Sequence, residues 1–197
     1  MKIKRALISV SNKKGIIEFA KSLTELNIEI ISTGGTAKKL YTAKIPVIHI
    51  SDYTGFPEIL GGRVKTLHPF VHGGILALRN NKMHTKEVKT YSLKLIDMVV
   101  VNLYPFQETV TNPKVTQNIA MDNIDIGGVA LIRSAAKNYE SVAVIVNPDR
   151  YKEIIKELQE NNGELSYCTK LNLAIEAFNL TREYDNAIYE YLKKRNK

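Results

Sequence analysis

Five short stretches of this 197-residue chain are almost continuously apolar and rich in β-branched residues. They are RALISV, IEIIS, PVIHI, DMVVVN and VAVIV. Strands of a parallel sheet show this pattern because helices cover both of their faces. Between these stretches, apolar residues recur at helical spacing from Lys14 to Leu26 and over residues 36–43 and 127–138. The alternation predicts an α/β fold with a mostly parallel central sheet of about five strands and helices on both faces.

After the fifth stretch the pattern is helical only. Asp149 to Gln159 and Leu171 to Leu192 are amphipathic, so we predict a core over about residues 1–148 and a helical C-terminal tail over about residues 149–197. No Pro-rich or Gly/Ser-rich linker interrupts the chain, which favours one domain over residues 1–197. The tail positions expected to contact the core or another subunit are Leu171, Ala174, Ile175, Phe178, Ile188 and Leu192.

Charge and composition restrict the partners. A formal net charge of +8 favours an anionic partner. The lysines are spread along the chain without interleaved aromatic residues, so we expect a small phosphorylated molecule and no nucleic acid. The single cysteine, Cys168, cannot form an internal disulfide, which favours a cytoplasmic protein. The first apolar run covers only about five residues where a membrane helix needs roughly 20, so no membrane association is expected.

Two loops that follow strands combine small, hydroxyl and basic residues. They contain Ser11, Asn12 and Lys13 in SVSNKKG, and Thr33, Gly34, Gly35 and Thr36 in STGGTAK. Ligands of open parallel sheets bind beyond the carboxyl ends of strands, where helices begin and expose backbone N–H groups. The two loops therefore predict a phosphate site. The alternative is that Ser11 and Thr36 are ordinary helix N-caps and that the glycine pair forms an ordinary turn.

The fourth strand and the segment after it offer further polar groups. NLYPF places Asn102 and Tyr104 at the same edge of the sheet, and Pro105 should end the strand. IDIGGVALIRSAAKN places Asp125 before a glycine pair and Lys137 at the end of a helix. The alternatives are a half-buried Tyr104 bonded to backbone, an Asp125 that only caps a turn, and a Lys137 that only complements the helix dipole.

The segment FPEILGGRVKTLHPFVHGGILA is too apolar for a plain surface loop. It contains Arg63, Lys65, Thr66, His68 and His72. The two histidines stand four positions apart, a spacing that can hold zinc on a helix. A proline lies between them and no carboxylate ligand accompanies them, so we expect packing or substrate contact and no metal.

Together, several motifs resemble the IMP cyclohydrolase domain, the N-terminal half of a bifunctional purine biosynthesis protein whose other half is an AICAR transformylase. They are SVSNKKG, STGGTAKKL, SDYTGFPEILGGRVKTLHPFVHGGILA, VVNLYPF, IDIGGVALIRSAAKN and AFNLTREYDNAI. The resemblance runs from about Arg5 to the C-terminus. It implies a methylglyoxal-synthase-like fold and closure of 5-formamidoimidazole-4-carboxamide ribotide to IMP. It also implies no cofactor, a homodimer, and an AICAR transformylase partner as a separate chain or a missing domain.

The resemblance also implies that Asn102, Tyr104, Asp125, Ile126 and Lys137 surround the reacting atoms. Our hypothesis is that Lys137, with Asp125 and Tyr104, moves protons. Lys65, with neighbouring backbone amides and Asn102, would polarise the formyl oxygen. The implied substrate-binding residues are Ser11, Asn12, Lys13, Thr33, Gly34, Gly35, Thr36, Arg63, Val64, Thr66, Asn102, Ile126, Gly127 and Gly128. Asn12 stands where the family usually has Asp, and Lys14 where it has a small hydroxyl residue; both leave the Ser11 and Lys13 pair in place.

Two other functions fit the same fold. Methylglyoxal synthase also binds a small phosphate ester, but the RVKTLHP segment and the helical tail disfavour it. A non-catalytic nucleotide-sensing module would need the two anion loops without Lys137, Asp125 and Tyr104 together.

Overall fold

A single parallel sheet forms the centre of the protein. The computed structural model describes residues 2–104, 106–111 and 115–195, so Pro105 lies outside the described residues. The strands are β1 (Arg5–Val10), β2 (Glu29–Ser32), β3 (Ile48–His49), β4 (Met98–Asn102) and β5 (Ala143–Ile145). Their order is β3-β2-β1-β4-β5, and every pair is parallel. The predicted α/β class and five-stranded parallel sheet are confirmed.

Helices cover both faces of this sheet. In the described parts of the chain they are α1 (Ile16–Glu25), α2 (Gly34–Thr42), α3 (Ile50–Thr54), α4 (Pro69–Leu76), α5 (Lys82–Thr90), α6 (Phe106–Thr111), α7 (Gln117–Asp122), α8 (Gly127–Lys137), α9 (Tyr151–Glu160) and α10 (Tyr167–Arg195). Contacts join α1 to α2 and α9, and α8 to α4 and α10. The two groups cover opposite faces, because right-handed crossovers that run in opposite directions along a sheet place their helices on opposite sides. None of the described helices is both long and apolar enough to cross a membrane.

The order of the strands reverses at β1. The chain moves from β1 outward to β3 and then returns to pair β4 on the other side of β1, with Val10 opposite Asn102. The connections that leave β1 and β4 therefore run to opposite faces and leave a crevice between them at the carboxyl edge.

A buried ion pair closes the opposite edge of the sheet. Asp97 Oδ2 accepts hydrogen bonds from the backbone N–H groups of Lys4 (3.0 Å) and Arg5 (3.1 Å). Arg79 Nη2 lies 3.5 Å from Asp97 Oδ1 and donates to the Ile96 carbonyl at 2.8 Å. Buried charges that are paired in this way are costly to separate, so the ion pair stabilises this edge of the sheet. The crevice lies at the opposite, carboxyl edge.

The tail is helical as predicted, but its buried stripe differs from the predicted one. Ile175 and Phe178 are 58% and 41% exposed. The stripe that packs on α8 and β5 consists of Leu173, Ala174, Ala177, Thr181 and Tyr184. The predicted Ala174 is 3% exposed and Ile188 packs against the core, so these two positions agree with the prediction. The prediction missed Leu173, Ala177, Thr181 and Tyr184, of which the last two carry polar groups. The organisation as one domain with a core and a tail stays a prediction.

Glu157 connects α9 to the start of α10. Its carboxylate accepts hydrogen bonds from the Ser166 backbone N–H and the Thr169 hydroxyl, both at 2.7 Å. Burial alone would raise the pKa of Glu157, but these hydrogen bonds outweigh burial and lower it. The ionised carboxylate therefore stabilises the entry into the tail.

We expect Glu157→Gln to lower the free energy of unfolding by about 1 kcal/mol at pH 7. Because the pKa is lower in the folded state, this contribution is present above the unfolded pKa of about 4.3 and is lost as the pH falls through the folded pKa. Urea unfolding at pH 7 and at about pH 3 measures the difference. Glu160→Gln is the control, since Glu160 is 61% exposed and 3.9 Å from Lys156. An equal loss for Glu157→Gln at both pH values would contradict the assignment.

Candidate active site

The crevice at the carboxyl edge is a cavity of about 650 Å³. Its walls come from the ends of β1, β2 and β4, from the loop before α4, and from the chain between α7 and α8. The predicted site residues that line it are Ser11, Lys13, Thr33, Gly34, Gly35, Thr36, Arg63, Lys65, Thr66, Asn102, Tyr104, Asp125, Ile126, Gly127 and Gly128. Asn12, Val64 and Lys137 are outside this lining.

Asn102 shapes the loop after β1. Its Oδ1 accepts hydrogen bonds from Ser11 N–H (2.8 Å), Ser11 Oγ (2.8 Å) and Asn12 N–H (2.9 Å). Its Nδ2 donates to the Asn12 carbonyl at 3.0 Å. The amide oxygen is thus occupied by protein groups, which leaves it little capacity for a substrate. Asn12 is exposed, and its own Oδ1 accepts from Lys14 N–H at 3.0 Å.

Lys13 belongs to the first predicted anion loop, and its side chain lies beside the second. Its Nζ donates to the carbonyls of Ser11 (3.2 Å) and Val10 (3.3 Å). A Cβ built on Gly35 would lie 3.9 Å from the same Nζ. Backbone carbonyls leave the positive charge uncompensated, so this ammonium group suits an anion that enters the cavity.

Hydroxyl groups join the ends of β1 and β2. Ser9 Oγ and Thr33 Oγ1 are 2.7 Å apart. Thr36 Oγ1 donates to the Val10 carbonyl (3.0 Å) and accepts from the Val10 N–H (3.1 Å). Thr36 is buried, and its two hydrogen bonds to Val10 fix the relative position of the two loops.

The helix starts at these loops have no side-chain caps. The N-cap of α1 is Gly15 and that of α2 is Thr33, and neither makes a side-chain capping bond. The alternative that Ser11 and Thr36 are N-caps is wrong. In the first turn of α2, Thr36 N–H donates to the Thr33 carbonyl at 3.1 Å, whereas the N–H groups of Gly34 and Gly35 precede the first such bond. These two N–H groups are left for an anion, and a helix N-terminus favours negative charge.

Lys65 has a carboxylate partner, which the sequence reasoning missed. Its Nζ is 3.5 Å from Glu58 Oε2. Glu58 Oε1 is buried without a hydrogen bond among the described residues and lies 3.8 Å from His49 Nε2. His49 Nδ1 contacts Ser51 Oγ at 2.8 Å. The one signal of this contact in the sequence is that Glu58 is an acidic residue close to the basic RVK segment.

A tight turn presents this segment to the cavity. Ile59 and Val64 pair in an antiparallel bridge, with N···O distances of 3.1 and 3.3 Å, around the turn Leu60–Gly62. Val64 therefore shapes the loop. Arg63 forms an ion pair with Asp122 at the end of α7, and both residues line the cavity.

The glycine pair at the start of α8 allows close approach of two side chains. Asp125 Oδ1 accepts from Gly128 N–H at 2.7 Å. A Cβ on Gly128 would lie 2.4 Å from Asp125 Oδ2, and one on Gly127 would lie 2.8 Å from Thr66 Oγ1. The backbone N–H of Asp125 donates to Tyr184 Oη of the tail at 2.8 Å. Asp125 is therefore held through its side chain and its backbone.

Two large side chains stand at the mouth of the cavity. Tyr104 is 56% exposed and Ile126 is 60% exposed. The alternative of a half-buried, packed Tyr104 does not match this exposure. Both side chains are available to a planar ligand.

Lys137 is not brought to this cavity within the chain. It is the last residue of α8 and is exposed. Gly127 at the cavity is ten residues earlier, about 15 Å along the helix axis. The adjacent Asn138 is 5% exposed and donates to the carbonyls of Ile75 (2.7 Å) and Ala77 (3.2 Å), so this part of the SAAKN motif is structural.

The two histidines have separate protein partners. His68 Nδ1 accepts from Phe70 N–H at 3.2 Å, and His72 Nδ1 lies 3.0 Å from Ser134 Oγ. Burial lowers the pKa of His72, which favours a neutral imidazole. The described residues contain no group of three or more potential metal ligands.

Comparison with known proteins identifies the class. The MGS-like domain model matches residues 15–130, and the model of the AICARFT/IMPCHase bienzyme matches residues 135–197. The chain belongs to the MGS-like domain family. The predicted resemblance to the cyclohydrolase half of the bifunctional enzyme is confirmed at the level of the family.

Individual relatives agree with this assignment. The bifunctional purine biosynthesis protein PurH of Prochlorococcus marinus (strain MIT 9211) is 57% identical over 191 residues, 96% of this chain and 36% of that protein. PurH of Staphylococcus aureus (strain USA300) is 54% identical over 97% of this chain and 38% of that protein. The chain thus spans little more than a third of these relatives. A solved structure described as "Crystal structure of ForH" has a TM-score of 0.84 and 35% identity, covering 95% of this chain and 98% of that one.

Gly128→Ala is expected to destabilise the protein by about 1–3 kcal/mol, because the new Cβ would overlap the Asp125 carboxylate. Gly35→Ala is the matched control. It is also the second residue of a helix at the cavity, but its Cβ would meet only the end of the Lys13 side chain, with Cε at 3.8 Å and Nζ at 3.9 Å. Urea unfolding of both variants measures the effect. Equal stability of the two variants would contradict the close approach at Gly128.

Proposed function

We propose that this chain is an IMP cyclohydrolase of purine biosynthesis, which closes 5-formamidoimidazole-4-carboxamide ribotide to IMP. The observation that carries the proposal is that two anion-binding loops and the polar groups of Lys65, Tyr104 and Asp125 line the same cavity. PurH relatives support the pathway. Their bifunctional names extend the proposal to an AICAR transformylase partner, as a separate chain or a further domain. The homodimer and the cytoplasmic location stay predictions.

The cavity suits one mononucleotide. Its volume of about 650 Å³ lies within the range of small-molecule sites. Lys13 and the uncapped start of α2 would bind the phosphate. Lys65 Nζ is close to the same helix start, 3.8 Å from a Cβ built on Gly34, and with Tyr104 and Asp125 it would contact the adjoining substituted imidazole.

Ring closure needs proton transfer and stabilisation of an oxyanion. The carboxamide nitrogen is a poor nucleophile because its lone pair is delocalised, so a base must take its proton as the N–C bond forms. We assign this step to Asp125, whose Oδ1 is held by Gly128 N–H. Such positioned proton transfer typically accelerates a reaction by about 10²- to 10⁴-fold.

The formyl oxygen develops negative charge as the new ring forms. We assign its stabilisation to the Lys65 ammonium group, with Tyr104 as the proton donor. One proton converts this oxygen to a hydroxyl group, and a second lets it leave as water. As the C–O bond breaks, the former formamido nitrogen loses its proton and forms the C=N bond of the new ring. A preorganised donor of this kind contributes about 10²- to 10³-fold. Because the reaction is intramolecular, holding both substituents in a reactive rotamer supplies a further part of the rate.

The direct test is ultraviolet monitoring of the purified protein with the formamido ribotide, because ring closure changes the chromophore. Accumulation of IMP is the expected result. Formation of methylglyoxal from dihydroxyacetone phosphate would instead indicate methylglyoxal synthase. Nucleotide binding in calorimetry with neither turnover would indicate a nucleotide-sensing module.

Lys65→Ala should lower kcat by about 10²-fold or more, because it removes the charge next to the developing oxyanion. The control is Lys89→Ala, an exposed lysine in the last turn of α5, which removes the same charge elsewhere. Normal turnover of Lys65→Ala would remove Lys65 from the mechanism.

Lys137→Ala tests the predicted role of the lysine that the chain does not bring to the cavity. A catalytic role requires a loss of at least about 10²-fold in kcat. From its position at the far end of α8 we expect a loss of less than about threefold, which is below any general acid–base contribution. A large loss would contradict the placement and return Lys137 to the site.

Lys13→Ala should mainly weaken binding of IMP, by about 10-fold or more, because it removes the charge between the two loops. Calorimetric titration with IMP and with inosine distinguishes the contribution of the phosphate to binding from that of the base. The loss should be absent for inosine, which has no phosphate. Unchanged affinity for IMP would remove the phosphate assignment.

A further inference from the structure

The tail helix α10 contacts the site through one buried hydroxyl group. Tyr184 is 6% exposed, and its Oη accepts the backbone N–H of Asp125 at 2.8 Å. The two residues are 59 positions apart, so the contact depends on docking of α10. Burial raises the pKa of Tyr184, which keeps the hydroxyl neutral.

This contact adds a long-range restraint to the local hydrogen bond between Gly128 N–H and Asp125. The N-cap of α8, Ile126, makes no side-chain capping bond. The carboxylate of Asp125 is already used to hold Gly128 N–H. The hydrogen bond from Tyr184 fixes the backbone of Asp125, and the bond from Gly128 then fixes the direction of its carboxylate.

The ring of Tyr184 also contacts the loop after β4. It packs edge-on against Phe106, with ring centroids 6.3 Å apart and an interplanar angle of 68°. Phe106 is 2% exposed and lies two residues after Tyr104. The same tyrosine therefore contacts two of the three chain segments that carry proposed catalytic groups, the segments of Asp125 and Tyr104.

Tyr191 of the same helix offers a natural comparison. Its ring also packs edge-on against Phe106, at 5.5 Å and 86°. Its hydroxyl is buried and has no hydrogen-bond partner among the described residues. The two tyrosines share the aromatic contact and differ in the hydrogen bond.

We propose that Tyr184 is a positioning residue, through which the tail holds Asp125 in the orientation needed for ring closure. This inference rests on the proposed function. The match to the bienzyme model covers residues 135–197, and hence the tail, whereas the MGS-like match ends at residue 130. The tail is thus the part of the chain that adds a restraint on Asp125 to a general anion-binding fold.

The test compares Tyr184→Phe with Tyr191→Phe. Each keeps the ring against Phe106 and loses one hydroxyl. We expect kcat of Tyr184→Phe to fall about 5- to 10-fold, the worth of one hydrogen bond, with KM and IMP affinity within about twofold. Tyr191→Phe should stay within about twofold in all three. Exchange of the Asp125 amide hydrogen should be faster in Tyr184→Phe only.

The outcomes distinguish a positioning role of Tyr184 from a purely structural role and from failure of the proposed function. A purely structural role would lower the free energy of unfolding of Tyr184→Phe without changing kcat or the split between kcat and KM, and would overturn the inference. An equal loss of kcat in both variants would also overturn it. If the wild-type chain does not convert the formamido ribotide, the proposed function fails and this inference fails with it.

Discussion

The ends of β1 and β4 must separate, because the chain leaves them toward opposite faces of the sheet. The amide of Asn102 spans this separation. Its oxygen accepts three hydrogen bonds from Ser11 and Asn12, and its nitrogen donates a fourth to the Asn12 carbonyl. An unpaired loop here would leave buried polar groups unsatisfied and would have no fixed shape. The positions of Lys13 and of the first turn of α2 depend on this one side chain.

The two cavity lysines are in different electrostatic surroundings. Lys65 has Glu58 at 3.5 Å, whereas Lys13 contacts only carbonyls and has no ion pair among the described residues. A compensated ammonium group attracts a dianion less than an uncompensated one does. Phosphate should therefore bind at Lys13, which leaves Lys65 available for the smaller charge that develops on a reacting oxygen. The net charge of +8 indicated an anion, but only this local difference indicates where it binds.

The sequence predicted the sheet well because each buried strand is a local apolar run. It predicted where the two polar loops lie, because they follow those strands directly. It could not predict Glu58 behind Lys65, since that contact depends on the turn at Leu60–Gly62. Lys137 shows the opposite case. A helix over residues 127–138 separates its ends by about 15 Å, so Lys137 and Gly127 of one chain cannot both reach the same cavity end, and the catalytic role of Lys137 stays a prediction.

The tail shows why a fold family and a reaction are different levels of description. The contacts that shape the two loops, made by Ser11, Thr36 and Asn102, all lie outside the tail. Asp125 also belongs to the core, yet its backbone is restrained from α10. A side chain that must take a proton needs a fixed direction as well as proximity. Under the proposed function, a chain without the tail would keep the contacts that shape the two loops but would lose the restraint on the Asp125 backbone.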